Sequence, residues 1–132
     1  MGKRLPDEVT RFITKHIHGF IQLELLLYMH DRPDMEATAQ TVAGEHRIAE
    51  DQSEILLEDL RWRGLLVARN HEGHRRYRFE PKTRELGRQV DAVSECYPTY
   101  RHAIVKLIFS KPAESASHFA DAFRLRKDEE DG

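Results

Sequence analysis

Leu60-Arg61-Trp62-Arg63-Gly64-Leu65-Leu66 is the stretch whose reading decides the fold. A helical pattern runs into arginines, a glycine breaks it, and an apolar strand starts at once. Glycine is the residue that most readily takes the left-handed conformation with which helices close. Upstream, Glu50–Arg63 reads as a helix, because Ser53, Leu56, Leu57 and Leu60 recur at i, i+3, i+4 and i+7. Thr38 is a good N-cap for a short preceding helix that runs to about His46 with Val42 and Ala43 inward. His46-Arg47-Ile48 is the turn between the two, with Ile48 as its anchor to the core. Before these lies Phe20–His30, whose apolar residues nearly encircle it and which ends at Asp31-Arg32-Pro33. Downstream, Leu65–Arg69 and Arg75–Glu80 read as a hairpin, with Tyr77 and Phe79 alternating against Arg76, Arg78 and Glu80. Asn70-His71-Glu72-Gly73-His74 would form its tip, with Asn70 and Gly73 open to positive φ.

The flanks are helical as well. Val9, Phe12, Ile13 and Ile17 make one apolar stripe over Asp7–Ile17. A helix starting near Thr83 carries Leu86, Val90, Val93 and Tyr97, and Pro98 either kinks it or opens a new one. Tyr100–Phe109 is apolar on two sides, with Ile104, Leu107 and Ile108 on one and Val105 and Phe109 on the other. Lys111-Pro112 ends that segment, and a last amphipathic helix is expected over Ala116–Lys127, with Phe119, Ala120 and Phe123 on its apolar side. The acidic tail Asp128–Gly132 is expected to be disordered. The chain divides into an N-terminal helix (1–19), a helix-helix-helix-hairpin unit (20–81) and C-terminal helices with the tail (82–132). The fold class is mainly α with a small β-hairpin.

With 132 residues, the chain has the size of one ordinary domain, large enough for a real core. Its formal net charge of −2 does not by itself call for a nucleic-acid partner. The distribution is more telling. From Asp34 to Leu60 eight acids stand against one base, Arg47, whereas from Arg61 to Arg88 nine bases stand against Glu72, Glu80 and Glu85. Cys96 is the only cysteine, so no internal disulfide can form, and a cytoplasmic location fits. Neither Glu95 nor Tyr97 would lower its thiol pKa, and it reads as a packed residue. No signal peptide is legible, and the longest apolar run, Leu25–Met29, is far too short to span a bilayer. No nucleophile elbow, Gly-rich phosphate loop or HExxH motif is present, so neither an enzyme nor a cofactor is expected. His71 and His74 at a hairpin tip do not close a tetrahedral zinc site, and no metal is expected.

The unit from Phe20 to Pro81, and the junction Leu60–Leu66 above all, resembles the winged helix-turn-helix domain of bacterial transcriptional regulators of the MarR/PadR architecture. The resemblance covers about half of the chain. It implies a winged helix-turn-helix core with N- and C-terminal helical extensions, double-stranded DNA as partner, and a homodimer through the C-terminal helices. In such regulators the third helix lies in the major groove, and the wing holds the backbone. Carried onto this sequence, Gln52 and Ser53 would lie nearest the bases, and Arg61, Arg63, Arg69, His74, Arg75, Arg76 and Arg78 would serve phosphates or a minor groove. One departure from the pattern is plain: the third helix opens on Glu50, Asp51 and Glu54, which phosphates repel. A protein-interaction module is therefore the second reading, with Glu50, Asp51, Glu54 and Ile55 as the contact face of a protein partner. The plain structural alternative for the wing is that its arginines pair with Glu72, Glu80 and the acidic helix. For Trp62, packing between helix and hairpin is the expected role.

Overall fold

The computed structural model describes residues 4–110. Apolar spacing, caps and glycines place its elements in the order α1 (Asp7–His16), α2 (Phe20–His30), β1 (Ala37–Thr38), α3 (Ala39–His46), α4 (Glu50–Trp62), β2 (Leu66–His71), β3 (His74–Phe79) and α5 (Arg84–Phe109). Thr38 caps α3 by accepting from the Thr41 amide at 3.1 Å, and Thr83 caps α5 in the same way through Leu86. The end of α4 is a Schellman closure: the Gly64 amide reaches the Arg61 carbonyl, and the Leu65 amide reaches that of Leu60. Gly64 has φ +82°, and Cβ of Lys82 lies 3.0 Å from where a glycine-replacing Cβ would stand, so both the conformation and the close approach require glycine.

The strands are antiparallel in the order β1-β3-β2. β1 is a two-residue strand that pairs Ala37 with Tyr77 and Thr38 with Arg76, so the hairpin is the larger part of a three-stranded sheet. Two residues are too few to show a period, which is why the sequence pattern gives no sign of β1. The hairpin tip is also tighter than the five residues its composition suggests. The strands stay paired out to His71 and His74, and Glu72 (φ 51°) and Gly73 (φ 80°) make a two-residue turn. Two successive positive φ values match the right-handed twist of the strands. Glu72, not Asn70, therefore takes the left-handed conformation; Asn70 lies in β2 opposite Arg75.

One apolar cluster joins all these elements, from Val9, Phe12, Ile13 and Ile17 at the start, through Leu23, Leu26, Leu57, Leu60 and Tyr77, to Val90, Val93, Ile104 and Ile108. Pro98 does not end α5; the helix runs on through a kink marked by the non-helical Tyr100 (φ −111°, ψ 20°). Buried Gln22 accepts from the His18 amide and donates to Asp59 at 2.7 Å, which ties α2 to α4. The result is a mainly helical, winged-helix-like fold, with one helix before the core unit and a long one after it. The expected helix Ala116–Lys127 and the acidic tail lie outside the described residues.

Candidate nucleic-acid interface

The wing is fastened to α4 through one carboxylate. Glu58 sits on the flank of α4 that meets the hairpin and accepts from Arg61 Nε at 3.1 Å, Arg75 Nε at 2.7 Å and the Tyr77 hydroxyl at 2.5 Å. Burial favours protonation of Glu58, but the hydrogen bonds from Arg75, Tyr77 and Arg61 outweigh it and hold the carboxyl below its usual range. Tyr77 is almost fully buried, and burial, reinforced by the Glu58 carboxylate, pushes its hydroxyl pKa well up. The inner face of the wing is thus a closed contact in which one carboxylate serves two guanidiniums and a phenol.

Alternation along β2 and β3 sends the other arginines to the outer face. There Arg76 lies opposite Arg69, and Arg78 lies opposite Val67. Like charges across a strand pair repel. Glu36, just before β1, relieves them with a bidentate bond to Arg69 at 2.5 and 2.7 Å. Arg78 donates to Glu80 at 2.5 Å. These residues, with Asp34, border an open cleft of about 580 Å³. Among the described residues Arg76 has no ion-pair partner, and its Nε is buried without a hydrogen bond.

The sequence-derived site residues therefore fall into separate groups. Arg69, Arg75, Arg76, Arg78 and His74 are brought together on the wing, and Arg61 stands beside them. Gln52 is exposed near the start of α4. Ser53 requires a correction. It is fully buried on the core face of α4, so it faces away from any duplex; the helical spacing that makes it a core residue excludes it as a base contact. Arg63 is corrected too. Its side chain is only 17% exposed, and it binds Asp59 at 2.8 Å and the Lys15 carbonyl at 3.1 Å, beside His18. It acts as a clasp between α4 and the end of α1 with the loop that follows it. Trp62 departs from its expected packing role: it is 78% exposed on the outer side of α4.

Arg47 is the residue that the sequence reading passed over. It is exposed in the turn between α3 and α4, in the left-handed conformation at φ 55° and ψ 48°, and it has no ion pair among the described residues. The signal was present, since Arg47 is the one base in the acidic stretch Asp34–Leu60. Glu50, Asp51 and Glu54, exposed on the first turns of α4, likewise have no ion pair among the described residues.

A basic cleft of about 1030 Å³ lies between α1 and the start of α5, with Arg11, Lys15, Arg63, Lys82 and Arg88 against Glu8 and Glu85. Burial, with Arg63 and Lys15 nearby, lowers the His16 pKa from 6.5 to about 4, so the ring at this cleft is neutral at neutral pH. Cys96 is partly buried, and burial, aided by Glu95 and Glu8, raises its thiol pKa. Among the described residues no cluster of three His, Cys, Asp or Glu side chains could hold a metal. No helix among them is long and apolar enough to cross a membrane.

No protein-family model matches the chain, and no curated protein matches it in sequence. Solved structures do match. One is a protein from Methanosarcina mazei Go1 described as a possible transcriptional regulator, with TM-score 0.52 and 11% identity over 79% of this chain and 89% of that one. Another is the heme sensor protein PefR from Streptococcus agalactiae in complex with heme, with TM-score 0.51 and 10% identity over 89% of this chain and 80% of that one. The PefR complex with heme and carbon monoxide gives TM-score 0.53 at the same identity and coverage. At such identities the likeness is one of fold: the chain has an architecture that these proteins also have.

Proposed function

We propose that the chain is a cytoplasmic DNA-binding transcriptional regulator of winged helix-turn-helix type, without enzymatic activity, that acts as a homodimer joined through the region after Thr83. The observation that carries this reading is the placement of Arg69, Arg75, Arg76 and Arg78 on one hairpin, held against the second helix of a helix-turn-helix, with Arg47 exposed in the turn. Backbone phosphates would meet the wing and Arg47, and Gln52 is the exposed polar residue at the start of α4 that can reach base edges. The MarR/PadR resemblance of the core unit and the regulator-like fold of the structural neighbours support the same reading.

Binding to nonspecific duplex DNA across a salt series tests the proposal. The protein should bind with a clear salt dependence, and Arg75→Ala/Arg76→Ala should weaken binding to all sequences alike, flattening the slope by up to about two units. Binding unchanged in a double mutant whose melting shows it folded refutes the wing as the contact.

A second reading rests on the outer side of α4. Glu50, Asp51 and Glu54 are without ion pairs among the described residues, Ile55 is half-buried beside them, and Trp62 is exposed farther along the same helix. Acidic residues with apolar neighbours suit a basic protein partner better than a phosphate backbone. On that reading the chain is a winged-helix interaction module, and no salt-dependent DNA binding is found.

A further inference from the structure

An apolar groove of about 620 Å³ opens between the start of α2, the first half of α4 and the end of α5. Phe20, Ile21, Ala49, Ile55, Leu56 and Phe109 line it, together with Asp51 and Gln52, and no lysine or arginine does. Among the described residues three large apolar side chains are exposed: Ile21 (36%), Phe109 (78%) and Trp62 (78%). The first two are walls of the groove. Trp62 stands on α4 at i+7 from Ile55 and i+11 from Asp51, spacings that return to one face of a helix. The apolar surface therefore continues from the groove along α4 for about another 10 Å. Exposed apolar surface gathered in this way marks an interaction site.

We propose that this track is the docking site for an amphipathic helix of a partner protein, its apolar stripe seated on Ile21, Ile55, Phe109 and Trp62 and its edge carrying lysines or arginines. The proposal rests on the interaction reading above, with its acidic α4 face, and adds to it the walls from α2 and α5 and the form of the partner. A helix fits because the track is built from helices, whose backbone groups are already paired, so an extended peptide finds no strand edge to join. Ile55 and Trp62 are also two turns apart, which matches anchors at i and i+7 on a helix laid alongside.

Charge fixes the sign of the partner. Glu50, Asp51 and Glu54 stand on the first turns of α4 without ion pairs among the described residues. Lys106 is the only base on the last turn of α5. A second copy docked by the same face would set Asp51 and Glu54 against their own counterparts, which like charge disfavours.

Trp62 is the chain's only tryptophan, so its emission reports on the track directly. The probe is an amidated leucine–lysine peptide of about 18 residues, long enough to be helical, with its leucines on one face. Added to the full-length protein, it should shift the emission to the blue and saturate at one peptide per chain. Phe109→Asp and, separately, Ile21→Asp should each weaken binding at least about tenfold, and both positions are exposed, so the fold should tolerate them. Asp51→Asn/Glu54→Gln should weaken it severalfold at low salt, and a peptide with glutamate in place of lysine should not bind. No saturable shift overturns the proposal, and so does equal binding of the glutamate peptide. Weakening in Asp51→Asn/Glu54→Gln with full binding in folded Phe109→Asp and Ile21→Asp overturns the groove and leaves the acidic contact face standing. No shift from a protein that binds duplex DNA with a salt dependence overturns both. A dimer that Phe109→Asp converts to a monomer in sedimentation gives the groove to a second copy and overturns the proposal as well.

Discussion

Glu58 offers a perturbation with two opposite consequences. Glu58→Ala removes the common acceptor of Arg61, Arg75 and Tyr77, which leaves the buried Tyr77 hydroxyl proton without its acceptor. An unsatisfied buried hydroxyl costs about 1–3 kcal/mol, and the two half-exposed arginines add less than buried charges would. We expect a loss of about 2–4 kcal/mol in denaturant unfolding. Glu58→Gln keeps an acceptor for Tyr77 at similar shape and should cost about 1–2 kcal/mol. Its effect on binding runs the other way. Loss of the carboxylate frees Arg61 and Arg75 for phosphate, so nonspecific DNA binding at low salt should strengthen. Two further phosphate contacts would steepen the slope by up to about two units, an added fall of about tenfold between roughly 50 and 200 mM salt. The assay is fluorescence anisotropy of a labelled duplex across a salt series, with thermal melting to show that the variant is folded. A folded Glu58→Gln protein with unaltered affinity and slope refutes a phosphate role for Arg61 and Arg75, since both charges would have been released without effect, and leaves the outer face of the wing alone to meet a duplex.

Three further outcomes follow from the structure. Replacing Glu50 and Asp51 with Gln and Asn should strengthen nonspecific DNA binding if α4 approaches a duplex; loss of capture of a basic partner, with DNA binding negligible throughout, would instead favour the interaction module. His16, with a folded pKa near 4 against 6.5 unfolded, stays neutral in the fold while the unfolded chain takes up a proton. Its stabilisation is therefore present above about pH 6.5 and is lost as pH falls towards 4; after reduction for the ring's partial exposure this amounts to about 1–2 kcal/mol. Urea melts at both ends of that window should show a smaller pH difference in a folded His16→Gln variant, and an equal difference refutes the assignment. Sedimentation of the intact protein at tens of micromolar, an order-of-magnitude concentration for an interface of standard size, should show a homodimer, and a monomer refutes it.

The helices were legible because burial leaves a period. Val9, Phe12, Ile13 and Ile17, like Leu57 and Leu60, had the right spacing, and all are buried in the fold. Thr38 was legible as a helix start through its capping chemistry, the start near Thr83 was legible without its cap, and Gly64 was legible as the break after α4. The signals that failed were those carried by too few residues or by distant ones. β1 is too short to alternate. The turn at Glu72-Gly73 depends on strand pairing continuing to His71 and His74, which composition does not reveal. Arg63 becomes a clasp only because Lys15 and His18 lie beside it in space, forty-five residues or more away along the chain. Ser53 illustrates a conflict that spacing alone could have settled, since one side chain cannot serve both the core stripe and the exposed start of the same helix.

Charge counted along the chain separates an acidic half from a basic half, whereas the fold interleaves them. Glu58 takes Arg61 and Arg75, Glu36 takes Arg69, and Glu80 takes Arg78, so most of the apparent basic excess is spent inside the wing and its seam with α4. Among the described residues Arg47, Arg76, Lys82 and Arg84 are left without ion pairs on one side, and Glu50, Asp51 and Glu54 on the other. A phosphate can replace a carboxylate on an arginine fork with little change in geometry, as at the bidentate Arg69–Glu36 pair, but the displaced carboxylate then stands uncompensated beside the duplex. DNA affinity should therefore follow the few unpaired bases and the weakness of the exposed pairs, not the total number of arginines. An exposed ion pair is worth only about 0–1 kcal/mol, so the pairs on the outer face can be exchanged cheaply, whereas the Glu58 contact, closed over buried Tyr77, cannot. The outer face of the wing is thus where a duplex would be met, and the inner face is what holds the wing in place to meet it.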